Sequence, residues 1–301
     1  MKDNEYFIRR WIGVELCFGL NTVGDAPILP MPVRLYLCLF LWIGCLAGLP
    51  STAAATGLAT SPQSSVLLCG GSMMNGNEFK ETVHAVLRNH YVGCRRVVLV
   101  LHASHPTERD AMEARLRTAF VQLLGDRVIV ESLHRQDAEG AKALLRVADA
   151  LFVGGGETFV LLSELQRTGQ LEVIRERVLA GVPYGGSSAG ANVAGLRIGA
   201  TNDFPVADIV SRTAIGIFPA VINPHHPMPV PATKGDFDAR VGKIKGYLKF
   251  NSDEHVLALA DAATARFHAG RVTVTGGTAW HYTAAGVRSL SVGDEVSGLT
   301  P

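Results

Sequence analysis

Gly186-Ser187-Ser188-Ala189-Gly190 has the residue types and spacing of an activated nucleophile, with the apolar run VPYG before it and ANVAG after it. The pattern G-x-S-x-G carries chemistry when it joins a strand to a helix, because a tight turn projects the serine hydroxyl and small neighbours leave room for a substrate. The frame selects Ser188, since Ser187 is followed two residues on by Ala189 and not by glycine. The N–H of Ala189 would then help to hold an oxyanion. A serine-rich turn without catalysis is the alternative. A second segment, Gly154-Gly155-Gly156-Glu157-Thr158, follows the run DALFV and opens an amphipathic stretch. Successive glycines let backbone N–H groups face a ligand at a helix N-terminus. The segment lacks the Lys-Ser/Thr of a P-loop and the spacing of a dinucleotide fingerprint, so a structural turn and an anion loop both fit. A serine nucleophile needs a base, and ten histidines are available. His225 is distinctive because it ends the apolar run in INPHHP. His226 would point the opposite way in extended chain, which makes the two a poor metal pair and leaves packing or surface roles open.

These segments need a scaffold that brings them to one edge. From residue 64 onward, short β-branched runs alternate with longer amphipathic stretches. SVLLCGG precedes a helix expected over Glu78–Asn89, RRVVLVLHA one over Thr107–Leu124, DRVIVESL one over Asp137–Val147, and DALFVGGG one over Thr158–Ala180. Uninterrupted apolar strands alternating with helices predict an α/β fold, a mostly parallel sheet covered on both faces. Functional groups then collect beyond the carboxyl ends of the strands. IGIFPAVIN, HVLALAD, TARFHAG and RVTVTGG follow at short spacing and predict added, partly antiparallel strands. One domain is expected from residue 60 to residue 301.

Composition narrows the partners. The 301 residues carry 28 Lys+Arg against 27 Asp+Glu, a formal charge of +1, which gives no electrostatic footprint for nucleic acid. Hydrophobic residues make up 48%, which rules out disorder as the dominant state. Five cysteines at these spacings form neither a disulfide framework nor a zinc pattern, and no metal or organic cofactor is implied. Cys69 closes one apolar run and Cys94 opens the next, so in parallel strands they would lie at opposite ends as free thiols.

The first sixty residues read differently. Leu35 to Leu49 is a charge-free apolar run, short for a bilayer span, and Ala53-Ala54-Ala55 follows as a small-residue cleavage pattern. Residues 31–55 are therefore expected to form a signal peptide starting at Met31, with residues 1–30 an annotation overrun or leader. Export to a periplasmic or extracellular space follows if it is used, with no membrane association after cleavage. An uncleaved anchor is the alternative for the run, and a cytoplasmic protein the alternative for the whole chain. Trp42-Ile43-Gly44-Cys45 is a weak lipoprotein box.

GGGETFVLL, YGGSSAGANVAG, ATNDFPV, IFPAVINPHH and the following Lys234-Gly235 together resemble the peptidase E family of serine peptidases, the aspartyl dipeptidases. The likeness runs from about residue 65 to the last strands. It implies a glutamine-amidotransferase-like (flavodoxin-like) three-layer sandwich, with Ser188 as nucleophile and His225 as base. Asp203, in Thr201-Asn202-Asp203, is its first choice for the acid. Asp261, after the VLALA run, is the second, where relatives usually carry Glu. Gly155, Gly156 and Ala189 fall on the oxyanion hole, and Glu157, Thr158, Asn202 and Arg240 on substrate-binding positions. The implied partner is a small peptide, and a homodimer is compatible with the sequence.

Departures from the family concern specificity. Glu157 stands where Asn is usual, and Lys234-Gly235 is followed by Asp236, Phe237 and Asp238, with the first arginine at Arg240. Acids in a pocket would repel an N-terminal aspartate. On a solvated helix start they would be ordinary capping residues. The expected activity is a serine exopeptidase or dipeptidase acting through an acyl-enzyme, with Asp-X preference left open. A cyanophycinase-like isopeptidase acting on a basic substrate and a non-catalytic ligand-binding module are the alternatives.

Overall fold

The computed structural model describes residues 63–299; the expected signal peptide and the segment before it lie outside the described residues. Thirteen strands and seven α-helices follow in the order β1 (Ser65–Cys69), β2 (Met74–Asn75), β3 (Glu78–Phe79), α1 (Glu81–His90), β4 (Arg96–Val100), α2 (Arg109–Leu124), β5 (Ile129–Ser132), α3 (Ala138–Arg146), β6 (Ala150–Val153), α4 (Thr158–Thr168), α5 (Gln170–Leu179), β7 (Tyr184–Ser187), α6 (Ala189–Ala194), β8 (Val221–Asn223), α7 (Lys234–Phe250), β9 (Val256–Leu259), β10 (Thr264–His268), β11 (Arg271–Gly276), β12 (Ala279–Thr283) and β13 (Gly286–Leu290). Among the described residues no helix is long and apolar enough to cross a membrane.

The large sheet has the order β11-β10-β1-β7-β6-β4-β5. Its pairs β1–β7, β7–β6, β6–β4 and β4–β5 are parallel, and β10 and β11 add to the β1 edge antiparallel. Period-two alternation splits each central strand between the two faces. Val66 and Leu68 join one core with Val98, Val100 and the apolar faces of α4 and α5. Leu67 and Cys69 join the other with Val97, Leu99 and the faces of α1 and α2. This is the expected mostly parallel sheet flanked by helices. A smaller sheet, β13-β12-β9-β8, carries the segments that end in His225 and Asp261.

Local details differ from the expectation at three places. The helix expected from Glu78 begins at Glu81, because Glu78 and Phe79 pair with Met74 and Asn75 in a short hairpin. The helix expected over Thr158–Ala180 is two, broken at Gly169, whose φ of 68° ends α4 in the left-handed conformation that glycine adopts without strain. The C-terminal runs divide between the two sheets rather than extending one. Cys69 is buried and Cys94 half-buried, and both are free thiols.

Buried histidines couple this fold to pH. Burial, aided by Arg266, pushes the His90 imidazole down to about 3, while its Nε2 lies 3.0 Å from the Tyr184 carbonyl on the central strand. Burial also lowers His226 and His281 to about 4. The unfolded chain takes up these protons near pH 6.5 and the folded chain does not, so stability is full above 6.5 and drains away as pH falls toward 4. We expect the urea midpoint to fall across that window and to fall less steeply in His90→Gln; a midpoint independent of pH there would contradict the assignment.

Candidate active site

The nucleophile segment sits where β7 gives way to α6. Ser188 has φ 53° and ψ −113°, a conformation an L-residue adopts only under strain, and it forms the cap of α6. Three interactions hold the strain. The Ser188 N–H donates to the Cys69 carbonyl at 3.1 Å, and the Ser188 carbonyl accepts from the N–H groups of Ala191 and Asn192. The two glycines of the motif are required by backbone packing. A Cβ on Gly186 would lie 2.5 Å from the Gly190 oxygen, and one on Gly190 would lie 2.1 Å from the Val153 oxygen. Gly155 is also tightly placed, since a Cβ there would meet the Ser188 Cβ at 2.9 Å.

His225 reaches Ser188 from the small sheet. Its Nε2 is 2.8 Å from the Ser188 Oγ and its Nδ1 is 2.6 Å from the Asp261 Oδ1. The carboxylate fixes the tautomer: Nδ1–H donates to Asp261, leaving the Nε2 lone pair to accept the serine hydroxyl. His225 also has positive φ, 52°, and its N–H donates to the Gly70 carbonyl. The imidazole lies against Gly71, where a Cβ would fall 2.1 Å from His225 Cε1. Asp261 stands on the tight turn between β9 and β10, which is pinned by Ala262 N–H donating to the Gly71 carbonyl and Gly70 N–H donating to the Ala263 carbonyl.

Asp203, the first choice for the acid, does not meet His225. Its Oδ2 accepts the Thr158 N–H at 2.9 Å. Glu157 caps α4 without a side-chain bond, so the first amide of that helix is an orphan donor at a positive dipole end, and the Asp203 carboxylate satisfies it. Asp261, the second choice, occupies the position beside the imidazole.

The substrate-binding positions also resolve differently from expectation. Arg240 Nη1 donates to the Asn223 Oδ1, the Pro224 carbonyl and the His225 carbonyl. Asn202 Nδ2 donates to the Pro224 carbonyl, and its Oδ1 accepts from Asn223 Nδ2. Both side chains therefore brace the turn that carries His225. Thr158 is fully buried and its Oγ1 accepts from Asn192 Nδ2. Glu157 is exposed. Asp236 lies in the exposed first turn of α7 and Asp238 just beyond it, where it pairs with Lys234. The adjacent His226 points into the core. Its Nδ1–H donates to the Pro227 carbonyl, its Nε2 accepts from the Tyr282 hydroxyl, and its ring packs on Trp280 at 4.3 Å.

At the glycine loop, Gly154 N–H donates to the Val100 carbonyl and Glu157 N–H to the Ala103 carbonyl. Between them, the N–H groups of Gly155 and Gly156 meet no backbone acceptor among the described residues. Gly155 and Gly156 line a cavity of about 240 Å³ that reaches Ser188, and Ala189, the first residue of α6, follows that serine directly. Thiol chemistry has no foothold here: burial pushes the Cys69 thiol up to about 12, beyond the range in which a thiolate forms at neutral pH. Ligand-type side chains gather within 4.8 Å of one another at Asp110, Glu113 and His134. Arg135 pairs with both acids and Arg117 with Glu113, so the charge is already matched and the cluster clamps α2 to the turn after β5.

A strained serine after a parallel strand, linked through an imidazole to a carboxylate, defines the serine hydrolases that use a nucleophile elbow. The profile of peptidase family S51 matches residues 66–275, and the chain belongs to that family. It is 32% identical over 238 residues to Peptidase E of Streptomyces coelicolor (strain ATCC BAA-471 / A3(2) / M145), covering 78% of this chain and 94% of the relative. It is 35% identical over 215 residues to the probable alpha-aspartyl dipeptidase of Drosophila melanogaster, covering 70% and 86%. Among solved structures, the fold is shared with a putative peptidase E protein from Listeria monocytogenes EGD-e, at a TM-score of 0.54 and 20% identity over 71% of this chain and 98% of that one.

The geometry separates the two acids by experiment. Asp261→Asn leaves the imidazole without its orienting acceptor and should lower kcat by about 10²–10⁴-fold with little change in Tm. Asp203→Asn should cost about 1 kcal/mol of stability through the α4 terminus. The reverse pattern in kcat and Tm would return Asp203 to the relay.

Proposed function

We propose that this chain is a serine dipeptidase that hydrolyses short peptides through an acyl-enzyme on Ser188. The continuous Ser188–His225–Asp261 line, with links of 2.8 and 2.6 Å, carries the reading. The names of the relatives, Peptidase E and probable alpha-aspartyl dipeptidase, support a dipeptide as substrate.

The steps follow from the hydrogen bonds. As Ser188 Oγ attacks the scissile carbonyl, its proton passes to His225 Nε2, and the Asp261 carboxylate stabilises the imidazolium. The N–H groups of Gly155, Gly156 and Ala189 receive the negative charge that develops on the carbonyl oxygen, at an estimated 10²–10³ in rate for each donor. The Nε2 proton then goes to the leaving amine. Water enters and attacks the ester carbonyl as it loses a proton to Nε2, and that proton passes to Ser188 Oγ as the C–O bond breaks and the acid leaves.

The isopeptidase alternative needed Glu157 and Asp238 to favour a basic substrate. Neither lines the cavity beside Ser188, and Asp238 is already paired. A ligand-binding module has no use for a strained serine joined to an oriented imidazole.

Ser188→Ala should abolish hydrolysis of an X-Leu panel (X being Asp, Asn, Glu, Arg or Ala) while its thermal melt matches that of the wild type. Turnover retained in that variant would sink the proposal. We further propose that the apolar run from Leu35 to Leu49 and the Ala53-Ala54-Ala55 pattern direct export. N-terminal sequencing of the chain expressed from Met31 should then begin near Thr56, and an intact Met31 end would refute it.

A further inference from the structure

We infer that Arg115 anchors a carboxylate of the peptide substrate; the inference rests on Ser188 being the nucleophile. The cavity beside Ser188 has apolar walls from Met73, Met74, Met112, Leu116 and Phe152, and among the described residues Arg115 on α2 is the one charged side chain that lines it. Its orientation is fixed from behind. Nε and Nη2 both donate to the Gly76 carbonyl, at 3.0 and 2.9 Å. That uses one edge of the guanidinium and leaves a second fork, Nη1 with the remaining Nη2 hydrogen, that has no acceptor among the described residues.

Nor does Arg115 pair with any carboxylate among the described residues, unlike Arg96, Arg117, Arg135, Arg167, Arg197 and Arg271. A guanidinium held by a backbone carbonyl and walled by thioethers and an aromatic ring is preorganised for a planar bidentate acceptor. The other basic candidates are committed elsewhere. Arg240 braces the His225 turn, Lys234 is paired with Asp238, and Lys80 donates to the Ser72 hydroxyl at 2.7 Å. The acids that would repel a carboxylate, Glu157, Asp236 and Asp238, lie outside the cavity lining.

A dipeptide offers such a group from two sources, an acidic first side chain or the free C-terminus. The test measures kcat/KM on Asp-Leu, Asn-Leu and Asp-Leu-amide for the wild type, Arg115→Gln, Arg115→Lys and Lys80→Gln, with a thermal melt for each. If the side chain is read, the wild type prefers Asp-Leu over Asn-Leu, and Arg115→Gln cuts that ratio by about 10–100-fold. If the C-terminus is read, the ratio that collapses is Asp-Leu over its amide. Arg115→Lys, which keeps the charge and loses the fork, should fall between. Ser188-dependent turnover with both ratios unchanged in Arg115→Gln, or lost instead in Lys80→Gln, overturns the assignment and leaves the peptidase reading intact. No Ser188-dependent turnover of any substrate overturns both.

Discussion

The amide of Ser188 bonds to the carbonyl of Cys69 across the parallel β1–β7 pair, and the chemistry of the protein is arranged around that bond. It ties the strained turn to the end of the strand that also supports the base. Just beyond the end of β1, the Gly70 carbonyl accepts the His225 N–H, and the Gly71 carbonyl accepts the Ala262 N–H beside Asp261. The three residues of the relay therefore hang on three consecutive carbonyls, those of Cys69, Gly70 and Gly71. Such an arrangement is possible only where backbones approach closely. A Cβ on Gly70 would lie 2.1 Å from the Ala260 oxygen, and one on Gly71 would occupy the imidazole. Glycine is used here for its lack of a side chain, and at Gly71, with φ 134°, for its dihedral freedom as well.

The parts of this arrangement that are local in sequence could be read from it. G-x-S-x-G announces the Ser188 turn because strain, exposure and small neighbours all fall within five residues. The parallel sheet was legible for a similar reason, since each buried strand is a short apolar run and each helix a separate amphipathic one. The acid was not legible. Asp203 follows the polar Thr201-Asn202 pair and Asp261 the VLALA run, both come near the site, and only the pairing of β8 with β9 brings the second beside His225. Arg240 and Asn202 had side chains suited to a substrate, yet their contacts are with the carbonyls and amides of the His225 turn, a network distributed over three separate segments. Arg115 had no signal at all: it is one of several basic residues on an amphipathic helix, and the cavity it lines is built from the β2–β3 hairpin, α2 and β6 together.

The acids near Lys234 show how position in the fold decides the meaning of charge. As a linear string, Asp236-Phe237-Asp238 looked like a pocket rebuilt to exclude an acidic substrate. On α7 it is the solvated start of a helix, where Asp236 in the first turn complements the exposed amides, Asp238 pairs with Lys234, and Phe237 turns inward to meet His226 at 5.2 Å. Arg240, one turn on, is half-withdrawn from water and gives its guanidinium to three acceptors at the base of the His225 turn.

Ser188 hangs from the large sheet, whereas His225 leaves the small one at the end of β8 and Asp261 follows β9. The imidazole thus arrives from the small sheet and the hydroxyl from the large one, and the 2.8 Å link between them depends on how the two sheets are seated. A shift of an ångström between the sheets would part base from nucleophile and strain the core that the sheets share, while each sheet kept its own strand pairing. Catalytic competence in this molecule is accordingly a gauge of alignment rather than of foldedness, and a population with native secondary structure can still be silent.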